Sequence, residues 1–369
     1  MAIRRALSSE ALTSHNDHQA FQPVLLQRYL KDPAHMSEYR NEILELISEA
    51  YPQYSDSRLS EFKQILGGAD TTIYGVDLIS DSKSLPLILR VYRPYSSGSG
   101  RKEFRVLQEL YARGVGVPRP YVYTEESGVN GRAYLIMERI DGPLFVDELY
   151  ASRSTPRFNE LLDMFVRNLA AIHSVDWTEG LAFLDRYDIT RNPRQFITNV
   201  LAAPKRIINE HRIAELSPVI DWIESHEVSP GAPVLLHADY HGMNILLKSP
   251  ETLIAIDWAN ARLGDRRYDL AFAVMFFSSM GFDVRERVVA QYESISGHRI
   301  QNLDYFMVLS SLWNLLRVYS AVFDHRIMNE TEETAALLQS QYRDYALEIV
   351  RTTQEVTGVS LKNIVAALE

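Results

Sequence analysis

Apolar positions recur along this chain at two spacings, and the spacing changes part-way through. Residues 23–51 read as helical, with Leu26, Tyr29 and Leu30 on one face and Ile43, Leu46 and Ile47 on another. Pro52 ends that run. Strand-like segments follow. Residues 62–66 lead into Gly67 and Gly68, residues 72–78 alternate with period two, and residues 85–92 (LPLILRVY) form a compact apolar run closed by Arg93 and Pro94. The stretch 96–100 (SSGSG) reads as a flexible turn. Residues 102–113 then read as an amphipathic helix with Phe104, Leu107, Leu110 and Tyr111 inward, ended by Gly114 and Gly116. Residues 117–123 and 132–138 read as two more strands.

From Phe158 onward the helical spacing dominates. Leu161, Leu162, Phe165, Leu169 and Ile172 mark the apolar face of a helix over 159–173. Short strands at 234–237 and 253–256, with 244–247 between them, interrupt the helices, which then continue to the C-terminus. Strands first and helices after predict an α+β chain with a sheet lobe and a helical lobe. The predicted organisation is an N-terminal arm and helix over 1–53, an N-lobe over 54–138 carrying a five-strand antiparallel sheet and one helix, and a C-lobe over 139–369.

Composition narrows the chemistry. With 369 residues, more than one compact core holds, two lobes are the natural division. A net charge of -10 argues against a general nucleic-acid binder, which would need a basic face. It is compatible with a cationic partner without selecting one. The absence of cysteine rules out disulfides, thiolate metal sites and a cysteine nucleophile, and fits a reducing, cytoplasmic location. The early arginines have no apolar stretch behind them, so no secretory signal is read there. The longest apolar run, near 270–277, is too short for a bilayer, and no membrane partner is expected.

The densest chemistry lies in 234–260, VLLHADYHGMNILLKSPETLIAIDWAN. Apolar runs there end at His237, Asp239, Asn244 and Asp257, so strands would deliver these side chains to one edge. Phosphoryl transfer needs such a set: one carboxylate to orient or deprotonate an acceptor hydroxyl, and an amide oxygen with a second carboxylate to hold a divalent cation against phosphates. Magnesium prefers hard oxygen donors, which Asn244 and Asp257 supply.

His237-Ala238-Asp239 followed by Asn244 resembles the catalytic loop H-x-D-x-x-x-x-N of kinases. Ile256-Asp257-Trp258 resembles the metal-binding segment of the aminoglycoside phosphotransferase and choline kinase families, and residues 264–271 (GDRRYDLA) resemble its usual sequel. The resemblance covers roughly 62–277. It implies a protein-kinase-like two-lobed fold, a small antiparallel-sheet N-lobe and a larger helical C-lobe, with ATP and Mg2+ in the cleft and a small-molecule hydroxyl as acceptor. It implies Asp239 as catalytic base, Asn244 and Asp257 as metal ligands, and Asp269 as support of the catalytic loop. Residues 66–72 resemble a nucleotide-covering loop in which Gly67, Gly68, Thr71 and Thr72 approach phosphate. Arg90 stands where a cation should meet the phosphates and Glu103 where a carboxylate should hold that cation. Met137 and Glu138 fall at the hinge whose backbone would read adenine. His173 resembles a helix-end structural histidine.

Arg90 departs from the lysine usual in kinases, and a planar fork grips two oxygens where an ammonium is a point charge. Arg93, on the opposite face by alternation, is a weaker choice for the role. Other readings compete with these. His237, Asp239 and His241 could form a zinc or iron site. Asp257 could be an ordinary strand-end carboxylate, Asp265 and Asp269 helix caps, and Gly67-Gly68 a hairpin turn. A nucleotide-binding scaffold without catalysis is the alternative function. Trp313, Tyr319, Phe323 and Asp324 are core packing or acceptor contacts, and Glu330, Glu332 and Glu333 are the carboxylates an aminoglycoside would need. Neither the acceptor nor the oligomeric state is readable.

Overall fold

The computed structural model describes residues 33–65, 71–81, 83–93, 97–125, 132–226, 228–340 and 342–369. Helix α1 (Pro33–Ala50) leads into strands β1 (Arg58–Leu59), β2 (Lys63–Ile65), β3 (Thr71–Ile79) and β4 (Ser84–Tyr92). Helix α2 (Ser97–Ala112) precedes β5 (Pro120–Thr124) and β6 (Tyr134–Glu138). These strands form one antiparallel sheet in the order β1-β3-β4-β6-β5, with β2 also on β3. The sheet therefore has six strands where the sequence predicts five. Arg58 pairs with Ile79 and Lys63 with Gly75, a one-residue slip across 60–62 that splits a single edge strand in two.

Period two assigns the faces of β4. Leu87, Leu89 and Val91 pack in a core with Tyr39, Ile43 and Ile47 of α1, so the helix before the sheet covers its outer face. Arg90 and Tyr92 consequently face the other side, toward the helical lobe. Two readings of the next segment change. Residues 97–100, read as a turn, already lie in the first turn of α2. The inward face of α2 is Glu103, Val106, Leu107 and Leu110, while Tyr111 is exposed. Spacings of three and four residues put Glu103 on the apolar stripe, so a carboxylate is buried there.

The C-lobe contains α3 (Phe145–Ala151), α4 (Pro156–His173), α5 (Gln195–Glu210) and α6 (Ser217–Ser225). Two hairpin-like pairs follow: β7 (Pro233–Leu236) with β10 (Arg262–Asp265), and β8 (Ile245–Ser249) with β9 (Thr252–Ala255). Helices α7 (Arg267–Ser279), α8 (Arg285–Ser296), α9 (Leu303–Phe323), α10 (Glu332–Gln339), α11 (Arg343–Thr357) and α12 (Lys362–Leu368) complete the lobe. Residues Arg267 to Phe277 of α7 are buried on every side, which explains the absence of an amphipathic period there. By length and composition α9 could cross a membrane, unlike the shorter run near 270–277, but 67% of its apolar window is buried inside the protein.

The β8–β9 hairpin is clamped by two linker segments. The Ala255 N–H donates to the Gly116 carbonyl at 2.8 Å, and the Leu247 N–H to the Pro143 carbonyl at 3.0 Å. A Cβ at Gly116 would lie 2.3 Å from the Leu253 carbonyl oxygen, and one at Gly142 would lie 2.0 Å from that of Leu247. Both neighbours are backbone and cannot rotate away. Gly142→Ala is therefore expected to cost about 2–3 kcal/mol, measured by urea denaturation. A loss below about 0.5 kcal/mol would show that the linker can step aside.

Candidate active site

Strand β7 ends at Leu236 and the chain turns sharply at Ala238, whose φ of 63° is left-handed. Asp269, fully buried in the first turn of α7, holds that turn. Its carboxylate accepts the His237 N–H and the Ala238 N–H, each at 2.8 Å, and lies 3.2 Å from His173 Nε2. His173 Nδ1 contacts the Tyr292 hydroxyl at 2.6 Å, so this histidine anchors α4 and α8 around the loop. Asp265 pairs with the Arg267 guanidinium at 2.6 Å and accepts the Arg267 N–H at 3.0 Å, which closes the start of α7.

His237 is fully buried. Burial lowers its pKa, while neighbouring carboxylates oppose that shift. The ring is thus neutral, and its Nε2 donates to the Ile256 carbonyl at 2.9 Å. Ile256 in turn donates its N–H to the Asn244 carbonyl at 2.9 Å. These two bonds tie the Asp239 loop, Asn244 and the Asp257 segment into one unit. Tyr240 anchors the loop from below, donating to the Phe165 carbonyl at 2.9 Å.

Within that unit, Asn244 Nδ2 donates to the Asp239 carbonyl at 3.0 Å and to Asp239 Oδ2 at 3.1 Å. His241 Nε2 lies 3.4 Å from Asp239 Oδ1. Burial alone would raise the Asp239 pKa, but the His241 ring and the Asn244 amide more than offset it and hold the carboxyl below its ordinary value. His241 Nδ1 accepts the Met243 N–H at 3.2 Å, and its ring stacks on Phe276 at 4.8 Å. Both histidines of the H-x-D-x-H run are committed to loop bonds. Among the described residues no group of three or more His, Cys, Asp and Glu forms a metal cage, so the zinc or iron reading finds no support here.

Asp257 follows β9 in a left-handed conformation, φ 65°. Its Oδ1 accepts Arg90 Nη2 at 2.8 Å across the cleft. Arg90 Nη1 meets Glu103 Oε1 at 2.7 Å, and its Nε donates to Thr71 Oγ1 at 3.1 Å. The Tyr92 hydroxyl donates to Glu103 Oε2 at 2.7 Å. Burial works against the Arg90 charge, yet Glu103 and then Asp257 outweigh it and raise its pKa. The guanidinium therefore bridges a fully buried carboxylate on α2 and one on the facing lobe. Sequence spacing alone gives no sign of the Asp257 contact, the Thr71 contact or the Tyr92 cap. The burial alternation of β4 is the one signal that could have placed Tyr92 beside Arg90.

The remaining predicted positions are less concentrated. Thr72 pairs with Val91 in the sheet one residue beyond Thr71. Met137 and Glu138 end β6, with the Glu138 N–H bonded to the Arg119 carbonyl at 2.8 Å and the Arg139 N–H to the Pro86 carbonyl at 3.0 Å. The Glu138 carboxylate is held by Lys248 at 2.5 Å. Gly67 and Gly68 lie outside the described residues.

The profile of the Phosphotransferase enzyme family matches residues 61–302. The chain belongs to that family. Its fold is the kinase-like, two-lobed α+β arrangement. Among solved structures of that fold, a Ralstonia eutropha protein assigned to the aminoglycoside phosphotransferases aligns with TM-score 0.64 at 17% identity, covering 85% of this chain and 97% of its own. The spectinomycin phosphotransferase APH(9)-Ia, solved with ADP and spectinomycin, aligns with TM-score 0.51 at 17% identity, covering 89% and 98%. Such identities speak for the fold alone. Curated relatives include "Probable acyl-CoA dehydrogenase IBR3" of Arabidopsis thaliana, 24% identical over 73% of this chain, and acyl-CoA dehydrogenase family member 11 of Rattus norvegicus, 22% identical over 68%. The likeness spans 37% and 35% of those relatives' own lengths, so most of each lies outside it.

Proposed function

We propose that this phosphotransferase moves the γ-phosphoryl group of ATP to a hydroxyl of a small molecule, with Mg2+. The observation that carries the reading is the pairing of Asp239 with Asn244 beside the Arg90 bridge to Glu103 and Asp257. Asp239, deprotonated and partly exposed, would accept the acceptor's hydroxyl proton as its oxygen bonds to the γ-phosphorus and the bond to ADP breaks. Arg90, held by buried Glu103, would meet phosphate oxygens, and Thr71 would add a hydroxyl at the same edge.

The donor set fits magnesium. Asn244 spends its Nδ2 on Asp239, which leaves Oδ1 as a hard oxygen donor. The Asp257 side chain is 38% exposed, with only Oδ1 engaged. Two protein oxygens are what magnesium takes where phosphates and water complete its shell. When bound, the ion would neutralise charge on the β- and γ-phosphate oxygens.

Aminoglycoside-, choline- and sugar-like alcohols form the acceptor panel. Relatives named as acyl-CoA dehydrogenases carry the matched stretch within longer chains, so a hydroxylated acyl thioester belongs in it too. The test is thermal denaturation with ATP and Mg2+, followed by ADP release across the panel. At 100 times Kd the ligand should stabilise the protein by about 2.7 kcal/mol. Absence of any nucleotide-dependent shift would refute the reading, and a shift without turnover of any acceptor would favour a silent scaffold.

A further inference from the structure

His241, 3.4 Å from Asp239, packs against the C-terminal helices. His241 stacks on Phe276 of α7, and Phe276 meets Tyr345 of α11 at 6.4 Å between ring centroids. Asn314 Nδ2 of α9 donates to the Tyr345 hydroxyl at 3.1 Å. Arg317 stands three residues further along the same helix, on the same face. Burial raises the Tyr345 pKa, the Asp239 carboxylate raises it further and Arg317 opposes, so both charges act on one hydroxyl.

Among the described residues Arg317 is held through Nε alone. Its Nε donates to Glu330 Oε1 at 2.6 Å, with the Glu330 side chain 9% exposed and that of Arg317 35% exposed. Glu330 Oε2 is buried without a hydrogen-bond partner among the described residues, and neither Nη1 nor Nη2 of Arg317 has one there. Arg90 displays the completed form of this arrangement, a guanidinium fixed by a buried carboxylate on one nitrogen and gripping a second carboxylate with another. At Arg317 the outer fork, Nη1 and Nη2, is the edge that a second anion would meet.

The carboxylates of 324–333 are engaged or exposed rather than gathered for a polycationic acceptor. Glu330 is committed to Arg317, Asp324 is held by Arg326 at 2.7 Å, and Glu332 and Glu333 are exposed in the first turn of α10. The geometry points to Arg317 as the oxyanion-binding residue of the acceptor site, so that the acceptor carries a carboxylate or phosphate besides its reacting hydroxyl. This rests on the phosphotransfer reading above and names the class of molecule that the same site takes. Glu330 acts as a positioning residue that presents the outer fork of Arg317, a geometry matched to planar or tetrahedral oxyanions.

The test compares wild type, Arg317→Gln and the double variant Arg317→Met/Glu330→Met, which removes both charges so that neither is buried alone. The probes are hydroxybutyrates and hydroxyhexanoates, glycerol 3-phosphate, the matched diols and glycerol, and ethanolamine and kanamycin. Both ADP release and acceptor-induced thermal shift are read. Wild type is expected to prefer the acids or the phosphate, and those two arms decide which oxyanion it takes. Both variants should raise KM for that acceptor about 10- to 100-fold, with kcat and the nucleotide KM little changed. Equal use of diols or amines, or an unchanged acceptor KM in both variants, overturns the proposal. A nucleotide shift without any acid- or phosphate-dependent shift or turnover sinks this inference alone, whereas loss of the nucleotide shift in wild type sinks the parent reading.

Discussion

Replacing Asp239 by Asn is expected to lower kcat for phosphoryl transfer by about three orders of magnitude while nucleotide-induced stabilisation persists. The amide keeps the size of the carboxylate and can still accept from Asn244 Nδ2, so the loop retains its shape. It cannot take a proton from an acceptor hydroxyl. Nucleotide contacts should survive because Arg90, Glu103 and Thr71 are linked to one another and to Asp257, not to Asp239. Single-turnover kinetics and a thermal shift with nucleotide would check both halves. A variant within tenfold of wild type would remove Asp239 from the chemistry. The pH dependence gives an independent reading. Because the folded-state pKa of Asp239 lies below its ordinary value, the base form prevails through neutral and mildly acidic pH, and activity should fall only as pH drops through that lowered value. An acid limb near neutrality would belong to a different group.

Asp269→Asn should have the largest effect on stability, about 3 kcal/mol by urea denaturation, with activity lost as the loop relaxes. Its two oxygens accept two backbone N–H groups and stand against His173, all without solvent. An amide has one oxygen and an NH2 that only donates, so one backbone N–H must face another N–H in a buried site. The bond to Ala238 also holds a non-glycine residue in the left-handed region, a conformation costing about 1–2 kcal/mol on its own. A loss below about 1 kcal/mol would show that β7 and Tyr240 suffice to hold the turn.

The order of strands and helices, the H-x-D-x-x-x-x-N spacing from His237 to Asn244 and the Asp257 segment were all legible in the amino-acid order. Each is a local pattern: a period of two or 3.6, or polar residues at the ends of apolar runs. Features set by burial were less legible. Helix α7 has no period because it is buried all round, and on α2 the reading placed Phe104, Leu107 and Leu110 inward but took exposed Tyr111 for the stripe and missed Glu103, because a buried carboxylate does not read as apolar. The turn read at 97–100 became helix because Ser and Gly weigh little against a helix that docks on the sheet and the facing lobe.

The partners of charged groups were decided by the tertiary structure. Arg90 and Asp257 are 167 residues apart, and Asp269 reaches Ala238 and His237 from 31 and 32 residues away. Sequence could nominate Glu330 as a contact for a cationic acceptor, but only the packing of α9 against the segment before α10 committed it to Arg317. The physical reason is that hydrophobic periodicity is a property of neighbouring residues in the chain. The worth of a charge depends instead on which distant group shares its desolvated site.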